Sequence, residues 1–363
     1  MKVLSLCDGM SCGHIALDRV GIKVSQYFAA EIKETAIKVT QANYPNTIQI
    51  GDVNQIRYKD GVLYTEKGIF EVGHIDLVMF GSPCQTFSIA MLNNRIGLED
   101  KEKSGLFLEC HRILKEVNPT YFLMENVASM RNEDKEIISY MMGVEPLRIN
   151  SEIIAPALRD RYYWTNIPNI TPPQRKNISF QDILIEGFTN REKAHCLLVS
   201  DSRPLTTPVK MFHRYLLGFG NLIFKSEEQY EQCQKYYAEN FKGMKAKDIP
   251  TNATTVFDGV RFPNQTELER LQTVPEGYTN CLTRDEAADV LGDGWTIDVI
   301  AHIFTFLPQE TRSNDIADKL NDLKNSLMDC LKIAAQNEKD HFNRALEKVD
   351  ELKRLLVNEN ESS

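Results

Sequence analysis

Short apolar runs alternate with helical patterns through about the first 160 residues, and no other feature constrains the fold as strongly. Val3 to Cys7 reads as a strand, followed by a glycine turn and a helix through Ala16 and Val20. Val24 to Ala30 reads as a second strand and Lys33 to Asn43 as a helix. Ile75 to Phe80, broken only by Asp76, is a further strand, Gly105 to Val117 a helix, and Tyr121 to Met124 a strand. Strands that take turns with helices pair in parallel, because each crossover returns the chain through a helix. The pattern therefore predicts an α/β, doubly wound, Rossmann-like sheet. Ligands of such sheets bind at the carboxyl ends of the strands. The three notable turns, Asp8 to Gly13, Gly81 to Cys84 and Glu125 to Val127, all fall at that edge.

A chain of 363 residues with 42% apolar content can bury a real core, as two domains or as one with a large insertion. The net charge of −9 argues against a surface coated in nucleic acid, but it leaves room for a local basic cleft. Eight cysteines are scattered without a C-x-x-C pair. Cys7, Cys12 and His14 lie close together but lack a fourth ligand, so no metal is expected. Irregular thiols in a large chain suggest a reducing, cytoplasmic location. Met1 to Ser5 runs straight into a strand pattern, with no signal peptide expected ahead of it, and no apolar run is long enough for a membrane span.

The texture changes near Ile167. Prolines interrupt the pattern, and eight basic residues between Arg203 and Lys247, among them Lys210 and Arg214, face four glutamates. Phe212, Tyr215, Phe219, Phe224, Tyr230, Tyr236, Tyr237 and Phe241 are interleaved with them. Basic plus aromatic is the composition of a nucleic-acid surface. It is equally that of a small domain whose aromatics fill its own core. Ile297 to Leu307 returns to an apolar pattern and rejoins the first domain. Residues 311 to 357 are charged and helical, with apolar positions three and four apart that fall out of register near Asn337 to His341. Such a stretch reads as a coiled coil with a stutter, a helical hairpin or a helix packed on its own domain. A homo-oligomer or partner contact would run through it. The expected divisions are 1–166, 167–260, 261–310 and 311–363.

Gly9 and Gly13, after the first strand, let the backbone approach a ligand at a helix start, although the spacing is not G-x-G-x-x-G. Glu31 ends the second strand 22 residues after Gly9, where a carboxylate can hold two ribose hydroxyls. Asp52 follows the third candidate strand, where it can read an adenine edge. Together these describe any nucleoside cofactor. Cys84 is more specific: it stands at the mouth of a strand, behind the rigid Pro83 and ahead of Gln85. A free thiol has a pKa near ~8.5, and a helix start or a nearby cation would raise its thiolate fraction. His111, His195, His213 and His302 show no pairing pattern, and Glu133 to Glu136 reads as a solvated helix start.

Six segments, in order, carry a resemblance. Gly81 to Ser88 resembles the Pro-Cys-Gln nucleophile loop of the cytosine-5 DNA methyltransferases, and Glu125-Asn126-Val127 their Glu-Asn-Val motif. Asn94-Arg95 through Phe107 is similar to the mobile loop that closes over DNA. Arg159 to Trp164 resembles the Arg-x-Arg motif in its de novo form. Thr266 to Gln272, running to Val274-Pro275, is similar to the segment supporting the recognition domain. Leu291 to Thr296 resembles the last motif, which completes the cofactor pocket. The gap between Trp164 and Thr266 falls where that family keeps its variable target-recognition domain, and the helical extension follows.

The resemblance implies a methyltransferase sheet that takes S-adenosylmethionine and double-stranded DNA, as in restriction-modification. Cys84 would attack carbon 6 of a flipped-out cytosine, Glu125 would engage ring nitrogen 3, and Arg161 would orient the base. Glu31, Asp52, Gly9 and Gly13 would line the cofactor site with Asp8, Pro83 and Trp295. That family carries phenylalanine where Cys7 stands, which leaves Ile32 or Val53 to cover the adenine. Gln85, Ser88, Arg95 and Arg159 would meet DNA, together with Arg203, Lys210 and Arg214 of the basic stretch. Two rivals share the fold: a catalytically inert DNA-binding protein, against which intact Cys84, Glu125 and Arg161 argue, and a transfer-RNA methyltransferase, which the large insertion disfavours.

Overall fold

The computed structural model describes residues 1–81, 105–198, 203, 207–249, 255–308, 324 and 348–349. The chain divides into two units, Met1–Leu307 and Pro308–Ser363. Nearly all of the second, and with it the expected helical extension, lies outside the described residues.

In the first unit, β1 (Lys2–Leu6) leads into α1 (Cys12–Arg19), and β2 (Gln26–Ala30) into α2 (Glu34–Asn43) and β3 (Ile48–Gln49). Three short strands follow, β4 (Arg57–Lys59), β5 (Val62–Thr65) and β6 (Gly68–Glu71), and then β7 (Leu77–Gly81). Beyond it come α3 (Gly105–Val117), β8 (Tyr121–Val127), α4 (Asn132–Met142), β9 (Leu147–Asn150) and β10 (Asp160–Thr165). Seven strands form one sheet in the order β3-β2-β1-β7-β8-β10-β9. The expected parallel sheet is mixed, because β10 runs antiparallel to both β8 and β9. β4, β5 and β6 form a separate antiparallel sheet, for which the sequence reading had no place.

Both faces of the large sheet are covered, which is why its strands read as unbroken apolar runs. Val3, Leu77, Met79 and Leu123 point into one layer with Ile15, Leu268 and Ile300. Leu4, Leu6, Val78, Phe80 and Met124 point into the other with Phe107, Ile113 and Trp164. Strand order reverses between β1 and β7, the position beyond whose carboxyl strand ends ligands bind in sheets of this kind. β8 continues three residues past its expected end: Glu125 pairs with Gly81 of β7, and Val127 with Arg161 of β10. Glu125 pairs on both sides and Asn126 and Val127 with β10, so Glu125-Asn126-Val127 belongs to the strand rather than to a turn.

A third core lies within 207–262. It is built on α5 (Pro208–Leu216) and α6 (Glu227–Asn240). Phe212 is its hub, with ring centroids 5.5 Å from Phe257, 5.9 Å from Phe224 and 5.9 Å from Tyr237. Tyr215, Tyr230, Tyr236 and Phe241 join it. Seven of the eight interleaved aromatics thus fill their own core, and only Phe219, 42% exposed, is left to solvent. The chain then returns through α7 (Gln265–Leu271), α8 (Arg284–Asp293) and α9 (Ile297–Phe304); α9 packs on α1, and α8 on α7 and α2.

Candidate active site

At the switch point the chain after β1 takes left-handed conformations at Cys7 (φ 52°), Gly9 (φ 61°) and Ser11 (φ 60°). Gly9 adopts this without strain. The reversal brings the Gly9 amide to Glu31, where N–H donates to Oε2 over 2.7 Å. The amides of Ile32 and Lys33 donate to Oε1, each over 2.8 Å. Ile32 itself is 70% exposed beside this carboxylate, whereas Val53 is buried in the core. Of the two candidates for covering a ring, only Ile32 therefore offers free apolar surface. Cys7 is half-buried and packs against the core layer that holds Cys110 of α3. Gly13 is buried as well, and a methyl there would strike Met79, so its small size serves the packing of α1 on β7.

Asp52 accepts from Asn54 through both the backbone amide (2.9 Å) and the side chain (2.8 Å). Its own amide donates to Glu66 Oε1 over 3.1 Å. Glu66 lies on the turn between β5 and β6, and no motif pointed to it.

Asp8 accepts from the hydroxyls of Tyr27 (2.6 Å) and Ser11 (2.5 Å). Burial nevertheless pushes its carboxyl up to about 6, against the pull of those hydroxyls. A carboxyl that ionises later in the folded state than in the unfolded one costs nothing below about pH 4, where both states are protonated. The cost grows as pH rises through about 6 and stands in full above it, at roughly 3 kcal/mol. Asp8→Asn removes this term. Urea unfolding of both proteins at about pH 4 and pH 7 should show the variant gaining on the parent by roughly that amount. A constant difference would mean that Asp8 does not titrate late.

Glu125 and Arg161 meet diagonally across β8 and β10. Arg161 Nε stands 2.7 Å from Glu125 Oε1, with side chains 12% and 9% exposed. The contact is an ion pair set off the line of a hydrogen bond, since Oε1 accepts none. Arg161 Nη1 also donates to the Asp160 carbonyl over 2.9 Å. Trp295 brings its indole to the same place. Its amide donates to Cys12 Sγ over 3.3 Å, and burial pushes the Cys12 thiol up to about 12. A methyl on Gly81 would stand 2.9 Å from Trp295 Nε1 and 3.2 Å from Glu125 Oε2. Gly81→Ala is therefore expected to displace the indole and the carboxylate while leaving the sheet intact. Turnover should fall by about tenfold or more, with the thermal midpoint little changed. Activity equal to the parent's would show that neither group needs its place.

Arg159, expected at the DNA, is turned inward: it is 6% exposed, and its Nη1 lies 3.2 Å from Cys196 Sγ and 3.2 Å from the Gly292 carbonyl. Lys210 and Arg214 are half-buried, four apart on α5 and off the face that Val209, Phe212 and Tyr215 bury. Arg203 is exposed. Pro83, Cys84, Gln85, Ser88 and Arg95 lie outside the described residues. Among the described residues no group of His, Cys, Asp or Glu could hold a metal, and no helix is long and apolar enough to cross a membrane.

Residues 1–143 match the model of the family described as C-5 cytosine-specific DNA methylase. The type II methyltransferase M.NgoBV of Neisseria gonorrhoeae is 33% identical over 147 residues, which cover 39% of this chain and 31% of that protein. The orphan methyltransferase M.SPRI of Bacillus phage SPR is 29% identical over 202 residues, 52% of this chain and 43% of the relative. The chain thus spans about a third to two fifths of the length of these relatives. Two solved structures share the fold. The Dnmt2 methyltransferase of S. pombe matches with a TM-score of 0.55 at 17% identity, covering 84% of this chain and 97% of that one. The methyltransferase EhMeth of Entamoeba histolytica matches with a TM-score of 0.54 at 15% identity, over 84% and 97%.

Proposed function

From the match of residues 1–143 to the C-5 cytosine-specific DNA methylase family, we propose that this protein methylates carbon 5 of cytosine in double-stranded DNA. The observation that carries the reading is the ion pair of Glu125 and Arg161 at the carboxyl edge, beside the glycine from which the Cys84 loop departs. Carbon 5 is a poor nucleophile. Addition of the Cys84 sulfur to carbon 6 breaks the aromatic ring and makes carbon 5 an enamine carbon. Glu125, braced by Arg161, delivers a proton to ring nitrogen 3 as negative charge develops there, and takes it back when the sulfur leaves. Once carbon 5 carries the methyl, loss of its proton to a base lets the sulfur leave by elimination. The target atom is inaccessible within a duplex, so the base is flipped out at a cost of a few kcal/mol.

The residues at the crevice suit S-adenosylmethionine. Glu31 would take the ribose hydroxyls, Asp52 the adenine amine, and the exposed Ile32 the face of the ring, while Trp295 would line the methionine end. When bound, that molecule supplies the methyl as an electrophile on a sulfonium. The half-buried basic pair Lys210 and Arg214, with Arg203, is assigned to the DNA backbone.

The test offers the purified protein unmethylated genomic DNA or transfer RNA with radiolabelled S-adenosylmethionine, followed by nucleoside analysis. Labelled 5-methylcytosine in the DNA is the expected result. Label confined to transfer RNA would move the reading to RNA. Absence of label from both, with no covalent adduct on a 5-fluorocytosine duplex, would leave an inert binding protein. Bisulfite sequencing of DNA from expressing cells would then give the target site.

A further inference from the structure

We propose that Cys196 is a positioning residue of this same site, its sulfur fixing the guanidinium groups of Arg159 and Arg161 and, through Arg161, the carboxylate of Glu125. The inference rests on the functional reading above and adds to it a residue that none of the motifs contains.

The backbone delivers the sulfur to both arginines. Ala194 bridges Ala157 in parallel, with Leu158 N–H donating to the Ala194 carbonyl (2.8 Å) and Ala194 N–H to the Pro156 carbonyl (2.9 Å). Two residues further along, this register sets Cys196 beside Arg159. On its other side the segment is clamped by the fully buried Asn221, which accepts from His195 N–H (2.8 Å) and donates to the His195 carbonyl (2.9 Å). Arg159 Nη1 reaches Sγ at 3.2 Å and Arg161 Nη2 at 4.0 Å. Arg161 turns its Nε to Glu125.

Among the described residues, the charged groups acting on the sulfur are these two guanidinia, with Glu125 one step beyond Arg161. They invert its titration. Burial pushes the Cys12 and Cys233 thiols up to about 12. At Cys196 burial acts in the same direction, but the two arginines outweigh it and hold the thiol below its ordinary value. The sulfur stands between the two guanidinium groups, in a row of Glu125, Arg161, Cys196 and Arg159. Without it, the guanidinium groups of Arg159, just ahead of β10, and Arg161, within it, would face each other unscreened, and Arg161 would be pushed away from Glu125.

The test compares the parent with Cys196→Ala and with the isosteric Cys196→Ser. Ultraviolet absorbance of the parent should show a thiolate forming below the ordinary ~8.5, a step that both variants lack. Both should lower kcat by about tenfold without raising the KM for S-adenosylmethionine, as expected when a group displaced from its working geometry still binds its ligands. On the acid side, the parent's kcat should fall as that sulfur takes its proton, and this limb should be missing from the variants. A parent with no thiolate step, or a Cys196→Ala protein with the parent's kcat, overturns the proposal. A parent that shows the step yet methylates no DNA overturns the functional reading and leaves the pairing of sulfur and arginines standing.

Discussion

Cys84→Ser is expected to reduce methyl transfer by on the order of 10³-fold or more while leaving the affinity for S-adenosylmethionine intact. The substitution keeps size and polarity and removes only the capacity to present a nucleophile at neutral pH, because a serine hydroxyl is far weaker in acid strength than a thiol with a pKa near ~8.5. Cofactor affinity should hold because the groups assigned to it, Glu31, Asp52, Ile32 and Trp295, belong to other elements of the sheet's edge. Three peptide units tether Cys84 to Gly81, a reach of at most ~11 Å, and Gly81 is the register partner of Glu125. Tritium transfer to DNA gives the rate and titration calorimetry the affinity. A variant that methylates near the parent's rate would rule out the covalent route. A variant that loses cofactor binding as well would place Cys84 in the wrong part of the crevice.

The frame of this molecule is legible in its sequence because the frame is local. Val3 to Leu6, Leu77 to Phe80 and Tyr121 to Met124 announce themselves as strands, since each must bury both faces. Glu31 could be assigned to a strand end by counting alone. What escaped depends on partners distant in the chain. Nothing around Glu125 tells that pairing with Gly81 and Tyr163 will carry β8 onward, and nothing in Asp160 to Thr165 tells that it enters antiparallel. The aromatics of 212–241 remained ambiguous because composition cannot distinguish a stacking platform from a core. Only the convergence of Phe224, Tyr237 and Phe257 on Phe212 decides for the core. Cys196 lies 37 residues from Arg159, and no spacing rule connects them. Glu66 reaches Asp52 only because β5 and β6 fold back as a hairpin.

Arg161→Ala should damage folding and turnover together, and the two effects can be separated. Glu125 is 7% exposed, and its Oε1 accepts no hydrogen bond, so the guanidinium 2.7 Å away is the main compensation for a carboxylate held out of water. Removing one member of such a pair costs about 3 kcal/mol, because the other is left charged and enclosed. The same loss frees the group assigned to ring nitrogen 3 to drift, and a misplaced electrostatic partner costs about 10²-fold in kcat. Adding Glu125→Gln removes the stranded charge. The double variant should therefore recover most of the stability lost by Arg161→Ala and none of the activity. Arg161→Lys, with its charge kept but its planar fork gone, should hold stability better than alanine does and still fall well short in turnover. Urea unfolding and steady-state kinetics on the four proteins read both quantities. If Arg161→Ala unfolds at the parent's midpoint, the pair is not what holds Glu125. If the double variant regains activity along with stability, the carboxylate is not the group that meets the ring.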